Sequence, residues 1–547
     1  MKNTFVFLCL SILILSSCST QKKDNTSKPK LVVGIVIDQM RYDYLTRFAD
    51  KYGEGGFKRI LKGGFSLENA HYNYIPTYTA VGHTSIYTGT TPENHGVIGN
   101  YWYDKFAKKS IYCVDDTNFE TVGTKKGGKK SPYRMQTTTI TDQLRLAQNM
   151  QGKTISVAIK DRSAVLPGGH TANGAYWFQG KKDGKWITST FYMNSLPNWV
   201  NEYNTSGKVD EYVSKPWNTL YDINTYTESL ADDNEYEVLF KGKEKPVFPY
   251  DIKNLKDQNG GYDIIKAIPA GNTMTTDFAK AAILGENLGK SEFTDFLAVS
   301  YSTPDYIGHQ FGVASKEVQD NYLRLDKDLA NLFSFLDTQI GKGNYTLFLT
   351  ADHAAVQVPS YLQAEKIPAH YFNSRDFKKF INSITLEYFK SDNLVENISN
   401  FQIFLNHDEI KKLKLDANTV AQKIADEAVN YKNIYKAVTA RTMQSTHFTN
   451  GILEKLQKGY NQKYSGDVLL VPHPSTISSS SRKGTTHGSG YSYDTHVPII
   501  FYGNGIKAGT SKKAYTITDI APTLANLLQV EFPNGTTGRI VDEALKN

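Results

Sequence analysis

The chain has 547 residues, which is room for roughly three or four average domains or one large α/β unit with insertions. Its 62 basic and 55 acidic side chains leave a formal charge of +7, too mild for a nucleic-acid binder but favourable to anionic small molecules. Hydrophobic residues at 40% and charged residues at 21% are those of an ordinary globular protein, which excludes a disordered or fibrous chain.

The first element is a targeting segment, MKNTFVFLCLSILILSSCSTQKKD. Lys2 precedes an apolar run from Phe5 to Leu15 that is too short to span a bilayer and fits a secretory signal. Leu15-Ser16-Ser17-Cys18 resembles a bacterial lipobox, in which the Cys becomes the lipidated first residue. The rival reading is a plain signal peptide cut near Ser17, and the motif fit favours the lipoprotein. Residues 1–18 are therefore expected to be a signal peptide with lipobox and residues 19–30 a polar tether. The protein is expected to be exported to the periplasm, touching membrane only through an anchor at Cys18. The other cysteines are Cys9, inside the signal, and Cys113. With Cys18 lipidated, Cys113 stands alone, so any metal site must use His and carboxylates.

Downstream, short apolar runs end in residues with chemistry. LVVGIVID ends at Asp38, TISVAIKDR passes Lys160 and Arg162, and DFLAVSYSTPD ends at Asp305. YTLFLTADH ends at Asp352-His353, and HVPIIFYG starts at His496, shortly after His487. Continuous apolar runs suit strands buried on both faces, as in parallel sheets. Helical patterns lie between them. Leu325, Leu329, Leu332, Phe333 and Leu336 fall on one helical face, and Thr518–Leu528 predicts a second helix with a Thr or Asp start. Alternation of strand and helix predicts an α/β fold, a doubly wound, mostly parallel sheet with helices on both faces. Ligands bind such sheets beyond the carboxyl ends of the strands, where most of these acids and histidines fall. Two stretches break the alternation, a Tyr/Asn-rich one near 191–271 and a Lys-rich one near 384–464, and both read as insertions forming loops or a cap. GTKKGGKKS, Gly123–Ser131, imitates a phosphate loop, but Lys130 stands where Ser or Thr should follow Lys129, so it reads as a solvated basic loop.

Thr77, Thr79 and Thr84 cluster where the pattern predicts the start of a helix, and capping is the ordinary role of threonine there. Asp305 and His309, four apart, face one side of a helical turn. Each acid and histidine alone has a bland reading as a cap, turn or hydrogen-bonded loop residue. Their joint placement at separate strand ends is what points to a metal centre.

VIDQMR, YTAVGHTSIYTGTTPENHGVIGNYW, IKDRSAVLPGGHTANGAYWF, STPDYIGHQFG, TADHA, THGS and DIAPTLANLL…GTTGR occur in the order of the alkaline phosphatase superfamily. From residue 31 to the end, the chain resembles the monomeric, broad-specificity bacterial alkaline phosphatases of the PafA type. The resemblance implies a catalytic domain over 31–547 with an alkaline-phosphatase-like fold. It implies two zinc ions, one held by Asp305, His309 and His487, the other by Asp38, Asp352 and His353 with Thr79 as a bound nucleophile. Thr79 is singled out because it lies ten residues before Gly89, the family's spacing; Thr77 and Thr84 keep the capping role. The resemblance further implies that Asn100, Lys160 and Arg162 bind the extra negative oxygens of a monoester, that Lys160 leaves no third, magnesium site, and that the partners are small phosphate monoesters.

The expected activity is hydrolysis of monoesters in two in-line displacements through a phosphothreonine. A nucleotide phosphodiesterase or pyrophosphatase is the nearest alternative, and it would lack the Lys160–Arg162 pair. A phosphoglycerate mutase is disfavoured by a Thr nucleophile and an export signal, and a sulfatase by the missing Cys/Ser-x-Pro-x-Arg context. A surface lipoprotein that binds phosphate compounds without turnover is the non-enzymatic alternative.

Overall fold

The computed structural model describes residues 28–546; Cys18 and the signal segment lie outside the described residues. The Pro29 carbonyl accepts from the Thr294 hydroxyl at 2.7 Å and the Lys30 N–H donates to the Asn344 carbonyl at 2.7 Å, so both residues are tied to the folded body.

A ten-stranded sheet forms the core. In chain order its strands are β1 (Leu31–Ile37), β2 (Phe65–Leu67), β3 (Thr121–Val122), β4 (Thr154–Ala158), β5 (Gly174–Gln179), β6 (Lys185–Ser189), β7 (Asp295–Tyr301), β8 (Tyr345–Thr350), β9 (Ile499–Gly503) and β10 (Gly509–Ser511). Across the sheet they run β10-β2-β9-β8-β1-β7-β4-β5-β6-β3. The five central strands, β8 to β5, are mutually parallel, as their uninterrupted apolar sequences predict. The edges depart from that pattern. Strand β9 is antiparallel to β8, and β6 is antiparallel to β5.

This register decides where the site lies. Ile37 pairs with Tyr301 and Val36 with Thr350, so β1, β7 and β8 end side by side. Asp38, the turn after Tyr301 and Asp352 therefore emerge at one edge. Because β9 runs the other way, it starts at that same edge, and the loop preceding it can deliver His487.

Four helices carry the argument: α1 (Thr79–Thr88), α2 (Asp161–Gly168), α3 (Thr303–Phe311) and α4 (Lys316–Leu336). In α4 the predicted apolar face, Leu325, Leu329, Leu332, Phe333 and Leu336, is buried, and the Ser315 hydroxyl caps the helix by accepting from the Val318 N–H at 3.1 Å. The region 191–271 holds short helices whose Val200, Tyr203, Val209 and Val213 join the main core, as does Trp217, which bridges to Tyr250. The region 384–464 lies within a compact unit with its own apolar core and a four-stranded antiparallel sheet of Val395–Ser399, Gln402–Leu405, Val468–Pro472 and Ile434–Thr439. Cys113 is buried and unpaired.

Candidate active site

Helix α1 begins at Thr79. The preceding Tyr78 is extended and offers no side-chain cap, so the first-turn amides depend on other partners. One is found at Asn100, whose Oδ1 accepts from the Ala80 N–H at 2.8 Å, leaving its amide NH2 free as a donor. The capping role expected of Thr77 and Thr84 is not found. The Thr77 hydroxyl donates to the Ser489 carbonyl at 2.9 Å, and the Thr84 hydroxyl bonds back to the Ala80 carbonyl at 2.7 Å inside the helix. Gly82 allows α1 to rest on the backbone of Asp352, where a Cβ would lie 2.1 Å from the Asp352 carbonyl oxygen.

The six predicted acids and histidines form two groups of three. Asp305, His309 and His487 make one and Asp38, Asp352 and His353 the other, each with its ligating atoms within 4.8 Å of one another. In the first, His309 Nε2 is 3.0 Å and His487 Nε2 3.6 Å from Asp305 Oδ1. In the second, His353 Nε2 is 3.4 Å from Asp38 Oδ1 and 3.5 Å from Asp352 Oδ2. The rings of His353 and His487 stack at 3.4 Å between centroids, which joins the two groups.

Each histidine is held by its other nitrogen. His309 Nδ1 lies 2.7 Å from the Thr485 carbonyl, His487 Nδ1 2.7 Å from the Thr77 carbonyl and His353 Nδ1 3.1 Å from the Ala354 carbonyl. A carbonyl only accepts, so Nδ1 carries a proton in each, and in a neutral ring Nε2 then keeps its lone pair, the arrangement of metal-ligating histidines. Burial works to lower the pKa of His309, but Asp305, 3.0 Å from its Nε2, more than offsets this and raises it. Burial lowers the pKa of His353 well below its usual value and that of His487 to about 3, so both rings are neutral.

The second group bears the mark of a cation site. Asp38 Oδ1, Asp352 Oδ2 and His353 Nε2 are all buried and have no hydrogen-bond partner. Buried acceptors are seldom left so. Burial raises the Asp352 carboxyl to about 7, and burial together with Asp352 raises Asp38 well above the carboxylate range. Asp305 differs. Burial pushes it up, but His309, Lys160 and His487 more than offset this and hold it well below the usual range. Oxygen and imidazole donors without thiolate, on four converging chain segments, fit divalent metal.

Lys160 stands between the groups. It precedes α2, and its buried Nζ donates to Asp38 Oδ2 at 2.7 Å and Asp305 Oδ2 at 2.5 Å. These carboxylates offset the effect of burial and keep the ammonium charged. Two residues on, Arg162 Nη2 lies 3.4 Å from Thr79 Oγ1, and Nη1 donates to the Tyr112 hydroxyl at 3.2 Å. Lys160 is buried and Arg162 half-buried, so the two do not form an exposed surface pair. All ten candidate residues converge on one edge of the sheet.

Four neighbours escape sequence reasoning. Gln39 Nε2 donates to Asp305 Oδ1 at 2.7 Å and its N–H to Asp352 Oδ1 at 3.1 Å. His83 Nδ1 donates to the Thr79 carbonyl at 2.9 Å, and Nε2 accepts from the Ser300 hydroxyl at 2.9 Å. Tyr112 and Asp161 bond to each other and brace Arg162, whose N–H donates to Asp161 Oδ1 at 2.7 Å. Gln39, His83 and Asp161 sit inside quoted motifs, which was the available signal; Tyr112 carried none.

The type I phosphodiesterase / nucleotide pyrophosphatase family matches residues 32–496. Alkaline phosphatase PafA of Elizabethkingia meningoseptica is 43% identical over 98% of each chain. A crystal structure of wild-type alkaline phosphatase PafA, 43% identical, superposes with a TM-score of 0.92, covering 95% of this chain and 99% of that one. Alkaline phosphatase PhoV of Synechococcus elongatus is 44% identical over the whole of both chains. A protein of Myroides odoratus named a calcium-transporting ATPase is 46% identical over 96% of each chain. No helix among the described residues is long and apolar enough to cross a membrane. A ten-stranded α/β core, two histidine–carboxylate groups at its edge and full-length identity above 40% to two alkaline phosphatases lead to one conclusion: the chain belongs to the PafA-type alkaline phosphatases of the alkaline phosphatase superfamily.

Proposed function

We propose that this enzyme is a zinc-dependent phosphatase of broad specificity that hydrolyses phosphate monoesters through a covalent phosphothreonine and releases inorganic phosphate. The observation that carries the reading is the cationic pair beside Thr79, Lys160 buried between the two acid groups and Arg162 3.4 Å from the Thr79 hydroxyl. A monoester dianion has more negative oxygens than a diester, and this pair meets them.

Asp305, His309 and His487 would hold one zinc and Asp38, Asp352 and His353 the other. The zinc ions would supply the positive charge that lowers the pKa of the Thr79 hydroxyl and stabilises the leaving oxygen. Thr79 Oγ forms a bond to phosphorus as the bond to the leaving alcohol breaks. Water then attacks the same phosphorus, the bond to Oγ breaks, and Thr79 is restored. Arg162 offers a planar fork and Asn100 an amide donor to the phosphoryl oxygens, while Lys160 supplies a point charge. Helix α1 directs its positive end and first-turn amides toward the same anion. His83 ties the Thr79 carbonyl and so fixes that turn. With Lys160 between the carboxylates, no magnesium completes the site.

Thr79→Ala should reduce monoester turnover by about three powers of ten or more, whereas Thr79→Ser should retain a large part of it, because either hydroxyl can form the phosphoenzyme. Acid quench with a labelled monoester should trap phosphate on wild type and on the Ser variant alone. Equal label on Thr79→Ala would rule out this nucleophile.

The relatives' likeness and the leader sequence support an exported, periplasmic monomer, lipid-anchored at Cys18. Cys18→Ala should move activity from the membrane to the soluble fraction with kcat unchanged; native protein found wholly soluble would refute the anchor.

A further inference from the structure

Tyr101 is 59% exposed, although it directly follows Asn100 in the chain. It opens a short strand, Tyr101–Asp104, antiparallel to Lys109–Tyr112, and the register sets Tyr101 opposite Tyr112. Their ring centroids are 4.5 Å apart with planes inclined at 41°. Tyr112 is buried and fully engaged: its hydroxyl contacts Asp161 and Arg162, and the Lys130 ammonium lies 4.7 Å from its ring centroid. The Tyr101 backbone is pinned on both sides. Its carbonyl accepts from Asn400 Nδ2 at 2.6 Å, and the Asn100 carbonyl accepts from the Cys113 N–H at 3.0 Å. One part of the Tyr101 ring is covered by Tyr112, and the rest faces solvent.

An exposed tyrosine at a strand start is ordinary. This one is joined to the phosphate-binding groups twice, by the peptide bond to Asn100 and through Tyr112 to Arg162. A ring held in place by its backbone and by a buried neighbour loses little freedom when a second ring stacks on it. A substrate anchored through its phosphoryl oxygens at Asn100 and Arg162 extends its leaving group over the neighbouring surface. The geometry points to Tyr101, backed by Tyr112, as a stacking platform for phosphate monoesters whose leaving group carries a planar aromatic ring, nucleoside 5′-monophosphates included. This rests on the monoesterase reading and adds a substrate preference to it. A small alkyl leaving group has nothing to lay on the ring and draws nothing from it.

The test compares adenosine 5′-monophosphate with methyl phosphate, both esters of primary alcohols, on the wild type, Tyr101→Ala and Tyr101→Phe. Stacking of this kind predicts that Tyr101→Ala lowers kcat/KM for the nucleotide about five- to tenfold, with methyl phosphate within about twofold of wild type. Tyr101→Phe keeps the ring and should behave as wild type on both. Inhibition by free adenosine should weaken in parallel in the Ala variant. Equal losses on both substrates would overturn the platform and make Tyr101 a support for Asn100. No loss on either would overturn it as well. A wild type that turns over neither ester would instead remove the monoesterase reading, and the platform with it.

Discussion

Lys160→Ala combined with Arg162→Ala should cut kcat/KM for a phosphate monoester by about two to four powers of ten and leave diester turnover much less affected. Hydrogen bonds to charged groups contribute roughly 1.5–3 kcal/mol each, or about one to two powers of ten in rate for each residue removed. A diester carries a substituent where a monoester carries charge, so it gains less from the pair. The two residues are not equivalent. Lys160 neutralises Asp38 and Asp305 in a buried setting, and removing one partner of a buried ion pair leaves uncompensated charge. Arg162 contacts Thr79 and Tyr112 and no metal-group carboxylate. Arg162→Ala alone should therefore lose monoester activity with the melting temperature nearly unchanged, while any stability loss in the double variant traces to Lys160. The measurement is kcat/KM for a monoester and a diester on each variant. Equal losses on both esters would mean that the pair serves general folding or positioning, and no loss on either would move the phosphodiesterase alternative, which shares the matched family, ahead.

The core of the fold was legible because its chemistry is repetitive. Leu31–Ile37 is apolar throughout and Tyr345–Thr350 is broken only by threonines, as suits a strand covered on both faces, and the residues after them fall at the carboxyl ends by geometry alone. The Leu325–Leu336 face was equally plain, since one helical stripe must be buried. Strand direction at the edges was not legible, because an apolar run such as Ile499–Phe501 reads the same in either direction. That direction matters, since it explains how His487, in the loop before β9, reaches Asp305.

Within the site, residue type marked the candidate ligands, because buried Asp and His are costly unless something compensates them. The choice of Thr79 over Thr77 and Thr84 came from the family's spacing alone. All three are buried in α1 or just before it, and only the fold separates them, with Thr77 and Thr84 bonded to carbonyls and Thr79 facing Arg162. Tyr112 was invisible for another reason. Its role depends on the pairing of Tyr101–Asp104 with Lys109–Tyr112, and a tyrosine in a short strand between loops gives no periodic signal.

Removal of metal should abolish monoester turnover, a loss of at least about a thousandfold, and added zinc should restore it. The reasoning starts from charge. Asp38, Asp305 and Asp352 are buried within one site, and Lys160 is the cation paired with two of them. Asp38 Oδ1, Asp352 Oδ2 and His353 Nε2 remain without partners. A buried carboxylate in that position either takes up a proton or binds a cation. The raised Asp38 and Asp352 carboxyls express the first outcome, and neutral His353 with a free Nε2 favours the second. Charge stabilisation by metal in phosphoryl transfer contributes several kcal/mol, hence the thousandfold. A ligand that binds only the folded state also stabilises it, so chelation should lower the melting temperature as well. Elemental analysis of active protein should give two zinc ions per chain. Asp352→Ala should reduce this to one, since Asp305, His309 and His487 keep their geometry. Full activity in metal-free protein would refute the zinc assignment, and a single zinc with full activity would refute the second site.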